Sequence, residues 1–218
     1  MILEAKNICK NYGDETILQD VCLRLGEGES VAVTGASGCG KSTLVSILGL
    51  LLAPDGGELL LDGTDLLALD DRRRSQIRNR HFGFIFQSTQ LIGSLTALDN
   101  VLVPAHIAGE RGLEKPAREL LARFGLGERL YHYPHQLSIG QKRRACLARA
   151  LLLAPQFIFA DEPTNDLDPA IAAEIGDCLF DLPAQGRTLL LVTHDHTLAT
   201  RAARHLHFDG HHLQTSKP

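Results

Sequence analysis

Residues 35–42 read GASGCGKS, and they leave the chain few folds to choose from. The run follows "SVAVTG" (30–35), a short β-rich stretch ending in glycine, and precedes "STLVSILGLLLA" (42–53), which has helical length. A strand, a glycine loop and a helix in that order form a phosphate cradle. Gly35, Gly38 and Gly40 let the backbone turn sharply and aim N–H groups inward. Lys41 reaches the outer phosphates as a point charge, and the Ser42 hydroxyl can ligate Mg²⁺. A loop whose glycines serve structure alone would not need the Lys-Ser ending.

The rest of the chain extends this start into an α/β pattern. "GELLLDG" (57–63), "FGFIFQ" (82–87), "FIFAD" (157–161) and "TLLLVTH" (188–194) read as strands buried on both faces. Helical patterns lie between several of them, notably over 141–154 and 170–182, so the sheet is expected to be mainly parallel. "LVSILGLLLA" (44–53) is too short to span a bilayer and reads as a buried helix. From about 94 to 136 helical character dominates. A chain of 218 residues holds one substantial core.

"FIFADE" (157–162) supplies a second half of the chemistry. Asp161 at the end of a buried strand can hold Mg²⁺ directly or through water, and Glu162 can take a proton from an attacking water. Two acids in a surface turn is the bland alternative, and the phosphate loop displaces it. Together these residues support hydrolysis of a nucleoside triphosphate.

A second anion site is less expected. "QLSIGQKRRA" (136–145) opens a helix with Ser138 and Gly140 and continues into Lys142, Arg143 and Arg144. The unpaired N–H groups and the dipole of such a helix start attract anions.

Composition narrows the partners. The formal net charge of −4 argues against a general nucleic-acid binder. "DRRRSQIRNR" (71–80) is therefore read as a solvated surface helix. Five scattered cysteines with no C-x-x-C spacing point to reduced thiols in mostly buried positions. The N-terminus lacks a secretory signal. In the tail "HLHFDGHHL", a two-residue turn at Asp209-Gly210 would place His205, His207 and His212 on one hairpin face. Such exposed imidazoles are usually plain polar side chains rather than metal ligands.

The order of motifs resembles the nucleotide-binding subunit of ATP-binding-cassette (ABC) transporters over the whole length. The resemblance rests on "GASGCGKST" (35–43), Gln87 after a strand, "LSIGQ" (137–141) before a basic helix, "FIFADEPTNDLD" (157–168) and His194. It implies a P-loop NTPase fold in a single domain over 1–218: a mainly parallel sheet core, an antiparallel β region, and a helical subdomain at about 94–150. It implies ATP and Mg²⁺ as ligands. Tyr12 would stack on adenine. Gly35, Ala36, Ser37, Gly38, Cys39, Gly40, Lys41, Ser42 and Thr43 would hold the phosphates. Ser42, Gln87 and Asp161 would surround the metal, and Lys41, Gln87, Glu162 and His194 would carry catalysis, with Asp168 as the D-loop acid. Ser138, Gly140 and Gln141 would contact ATP held by a second subunit facing head to tail, which explains the second anion site.

A separate transmembrane permease, docked on the Q-loop and helical subdomain, is implied as a further partner. That would put the chain on the cytoplasmic face of the membrane, and leave it soluble when isolated. "FIFQSTQLIGSLTALDNVLVPAHIAG" (84–109) looks like the lipoprotein-release, macrolide-export and cell-division group. About fifty positions between Gln87 and Ser138 leave no room for the long coiled coil of the DNA-repair branch. Two rivals stay open: a soluble regulatory or translation ATPase, and a degenerate scaffold gated by ATP. Ile139 supports the second, because it stands where the family has glycine. A β-branched residue forbids positive φ and adds bulk beside phosphate.

Overall fold

The computed structural model describes residues 1–215. Two sheets share the chain. Strands β1 (Leu3–Tyr12), β2 (Glu15–Leu25), β4 (Gly56–Leu61) and β5 (Thr64–Asp65) form an antiparallel sheet in the order β2-β1-β4-β5. Strands β3 (Ser30–Thr34), β6 (Phe82–Ile85), β7 (Phe157–Asp161), β8 (Thr188–Val192), β9 (Arg204–Asp209) and β10 (His212–Thr215) form the larger one, ordered β10-β9-β3-β8-β7-β6. Every pairing from β9 to β6 is parallel, and only β10 runs against its neighbour.

Strand alternation divides the core. On β7, Phe157 and Phe159 face one side while Ile158 and Ala160 face the other; on β8, Leu190 and Val192 oppose Leu189 and Leu191. The first face packs on helix α1 (Lys41–Leu48) and the antiparallel sheet. The second packs on α3 (Ala97–Ala108), α4 (Glu114–Arg123), α5 (Ile139–Leu151) and α6 (Pro169–Phe180). Each fully buried leucine or phenylalanine contributes about 1.5–3 kcal/mol of burial. Of the remaining helices, α2 (Asp71–His81) buries none of its residues, as a solvated helix should, whereas α7 (His196–Ala199) adds Leu198 to the second core.

Several expectations are corrected. β4 is not a parallel strand buried on both faces: it pairs antiparallel with β1, and Glu58 is exposed while Leu60 is only half-buried. The apolar run 44–53 is helical only to Leu48, and Leu51 is 46% exposed. The helix ends where Leu50 enters left-handed backbone at φ 58° and the Leu51 amide turns back to the Ser46 carbonyl at 2.8 Å, and Gly49 fits there because a Cβ would clash with the Phe84 ring. Only Cys146 of the five cysteines is buried. The terminal turn is Gly210-His211, since Asp209 pairs with His212. The shift preserves parity, so His205, His207 and His212 do share a face. They do not converge: His205 pairs with the Ala202 carbonyl and His207 with Thr34, and no metal-binding cluster is found among the described residues.

Candidate functional site

Parallel strands end together, so the residues beyond their carboxyl ends converge. β3, β8, β7 and β6 deliver the 35–42 loop, Thr193-His194, Asp161-Glu162 and Gln87 to one edge. There they line a cleft of about 570 Å³ that includes Gly35, Ala36, Ser37, Gly38, Gly40, Lys41, Ser42, Thr43, Gln87, Asp161, Glu162 and His194. That volume lies within the usual range for small-molecule sites.

The loop owes its shape to glycine. Gly40 has φ 98°, and a Cβ there would sit 2.8 Å from Leu18 and 3.0 Å from the Ile17 carbonyl. Gly38, at φ 81°, needs the left-handed region without any steric neighbour. Lys41 opens α1 and is 8% exposed, its ammonium donating to the carbonyls of Gly35 at 2.9 Å and Ala36 at 2.8 Å. The charge is thus already held at the mouth of the loop.

The two acids are set up differently. Asp161 is buried, and burial holds its carboxyl above the ordinary value, with the nearby Ser42 hydroxyl pulling the other way. Its Oδ1 is buried without a hydrogen-bond partner. Glu162 stands one residue further, in left-handed backbone at φ 46°, a conformation costing an ordinary residue about 1–2 kcal/mol. Its amide donates to the Val192 carbonyl at 2.8 Å, which ties it to β8. Its carboxylate is held at both ends: Thr193 Oγ1 donates to Oε2 at 3.1 Å, and His194 Nδ1 lies 2.9 Å from Oε1. His194 itself is largely exposed.

Other sequence candidates lie elsewhere. Tyr12 does not line the cleft; it is 53% exposed beneath the Lys10 ammonium, and Ile17 occupies the apolar wall. Cys39 is also absent from the lining. Ser138, Gly140 and Gln141 stand apart from this chain's own cleft. Ser138 caps α5, accepting from the Gln141 amide at 3.2 Å, while Gln141 Oε1 accepts from the Ser138 amide at 2.9 Å. A Cβ at Gly140 would come 2.8 Å from Ile171 Cδ1, so that side chain would have to shift to admit one. Ile139 is the first helical residue and is 60% exposed, so no positive φ is demanded of it. The conformational objection to a β-branched residue there does not hold. Asp168 precedes α6 without capping it through its side chain.

Two residues escaped sequence reasoning. Thr193 could have been found as the neighbour of His194 at a strand end. Arg143 could not: it is 3% exposed on α5 and donates to the carbonyls of Phe86 and, at 2.6 Å, of Gln87, a contact 56 residues away in sequence. Burial holds its guanidinium below the ordinary value.

Known proteins share this arrangement. The family profile described as ABC transporter matches residues 18–165. The chain belongs to the ABC transporter family. It is 44% identical over 214 residues to the lipoprotein-releasing system ATP-binding protein LolD of Porphyromonas gingivalis, covering 96% of this chain and 98% of that protein. It is 48% identical over 193 residues to the macrolide export ATP-binding/permease protein MacB of Pectobacterium atrosepticum, covering 88% of this chain but 30% of that protein. Among solved structures, the dimeric ABC transporter cassette MJ0796 superposes with a TM-score of 0.91 at 36% identity, covering 99% of both chains. The same cassette in a post-hydrolysis state bound to ADP and Pi gives 0.89 at 35% identity. This ABC chain is accordingly an ATP-binding and ATP-hydrolysing cassette of the LolD and MacB type, and neither the regulatory nor the degenerate alternative is favoured. Among the described residues, no helix is long and apolar enough to cross a membrane.

Proposed function

We propose that the chain is one half of a symmetric ATP engine that drives a separate transmembrane permease of the lipoprotein-release or macrolide-export type from the cytoplasmic side. The observation that carries this is the separation of two anion sites. Lys41, Asp161 and Glu162 share a cleft, whereas the capped helix start at Ser138 and Gly140 lies outside its lining. A second copy turned head to tail brings its own Ser138 and Gly140 to the phosphates held here.

Each side chain then has a task. The loop amides and Lys41 neutralise the phosphates of ATP, and Tyr12, exposed outside the lining of the cleft, stacks on a base that projects beyond it. The unpartnered Oδ1 of Asp161, beside Ser42 and with Gln87 on the same wall, is an oxygen set that suits a hard cation. Mg²⁺ held there would offset charge on the phosphate oxygens. Glu162, pinned by Thr193 and His194, accepts the proton of the attacking water, and His194 also faces the terminal phosphate. Residues 1–218 act as a single domain; the shared second core supports treating 94–150 as a helical lobe of it.

An apolar groove supports docking of the permease. Leu51, Phe84, Phe86, Val103, Ile107 and Leu153 line an apolar groove of about 300 Å³, and Ile107 is 70% exposed. A cytoplasmic helix of the permease fits such a groove. Phe86, whose carbonyl Arg143 grips, lines this groove, so pressure on Phe86 would be passed to α5 and Ser138.

Light scattering with and without ATP tests the paired arrangement. The molecular mass is expected to double with ATP, and a mass that never rises overturns the reading. Ile139→Gly removes side-chain bulk at the phosphate-facing helix start. It is expected to tighten ATP-driven association by about threefold, roughly 0.6 kcal/mol, after the loss of helix propensity. Unchanged association would count against a close approach at this position.

A further inference from the structure

The apolar groove continues past Ile107 into a second concavity. Ser75, Asn79, Ile107 and Leu153 line both, and the second holds about 560 Å³. Its character is different: Arg72 and Arg80, both exposed, stand on its wall. They belong to α2, which carries five arginines against the single acid Asp71 in a chain of net charge −4. None of those arginines is ion-paired among the described residues. Arg78 instead donates to the Leu50 carbonyl at 2.8 Å and to Ser75 at 2.7 Å. Glu110 also lines the concavity but is ion-paired to neither arginine. A concave wall of unpaired cations focuses a positive field and selects an anionic occupant.

Geometry gives the occupant a spacing. Arg72 and Arg80 are eight positions apart on one helix, so their Cα atoms are separated by about 12 Å along its axis. We infer that the segment seated in the apolar groove is an amphipathic helix bearing two carboxylates about two turns apart, facing Arg72 and Arg80. The inference rests on the docking reading above and adds the charge pattern of the partner. An anionic bilayer is the competing source of negative charge. It is disfavoured because the two arginines line a concavity continuous with the groove, whereas a flat surface would meet convex charges.

The test uses the full chain and its membrane subunit, captured from detergent-solubilised membranes and identified by mass spectrometry. Affinity of the purified pair is measured for wild type, R72E/R80E, the milder R72A/R80A, and I107D in the groove, with melting temperature as the check on folding. R72E/R80E is expected to weaken binding by about tenfold and to flatten its salt dependence. Lysines replacing the two facing acids of the permease should restore it. If R72E/R80E binds as wild type while I107D does not, the charge inference fails and the docking groove stands. If I107D also binds as wild type, the groove reading itself fails. Should R72E/R80E lose binding to phosphatidylglycerol vesicles and keep the permease, the anionic partner is lipid and the inference is overturned.

Discussion

Glu162→Gln is expected to lower kcat by about 10²–10⁴-fold, the contribution of a positioned general base, with ATP affinity close to wild type. The substitution is nearly isosteric. The glutamine oxygen still accepts from Thr193 Oγ1, which lies 3.1 Å from the native carboxylate, and the left-handed backbone at φ 46° is unchanged. Lys41 and the glycine loop are untouched, so the phosphates bind as before. The oxygen that receives the proton is what disappears. Closure around ATP then has no exit through hydrolysis, and an ATP-bound dimer should accumulate on size exclusion. Hydrolysis at the wild-type rate by this variant would remove Glu162 from the role of base.

The residues of that cleft were legible because each sits at the end of a short apolar run. A parallel strand buried on both faces announces itself locally, and topology rather than side-chain detail places the residues just beyond its carboxyl end. "SVAVTG" and "FIFADE" therefore located Lys41, Asp161 and Glu162, while His194 at the end of "TLLLVTH" was singled out by the family resemblance. The N-terminal hairpin was not legible in the same way. β1 and β2 carry register shifts, with Asn7 and Asp20 both at φ 50°, so their buried residues do not alternate in sequence. β4 misled for the opposite reason: three leucines in a row imitate a core strand although only Leu59 and Leu61 face inward. The glycine at 49 is explained only by Phe84, 35 positions on, and the Arg143 grip on Phe86 and Gln87 spans 57 and 56 positions. Contacts of that kind leave no periodic trace.

Mixing two dead variants is expected to revive activity. Lys41→Ala removes the ammonium that Gly35 and Ala36 hold at the loop, and should abolish ATP binding in its own cleft. Ser138→Asp keeps α5 capped, because aspartate serves as well as serine in accepting the Gln141 amide, yet it sets a carboxylate against the partner's terminal phosphate. A homodimer of either variant has both composite sites broken. In the mixed dimer one site combines both lesions and the other has neither. Each mixed dimer has one good site of two, so between about a quarter of the wild-type ATPase rate (random pairing) and about half (every dimer mixed) should return. A cleft served by its own chain's Ser138 predicts the opposite, since every chain in the mixture then carries a lesion in its own site. If heterodimers are demonstrated by crosslinking and ATP turnover still stays at the level of the separate variants, the trans arrangement is wrong, and the helix start at Ser138 must serve some other anion.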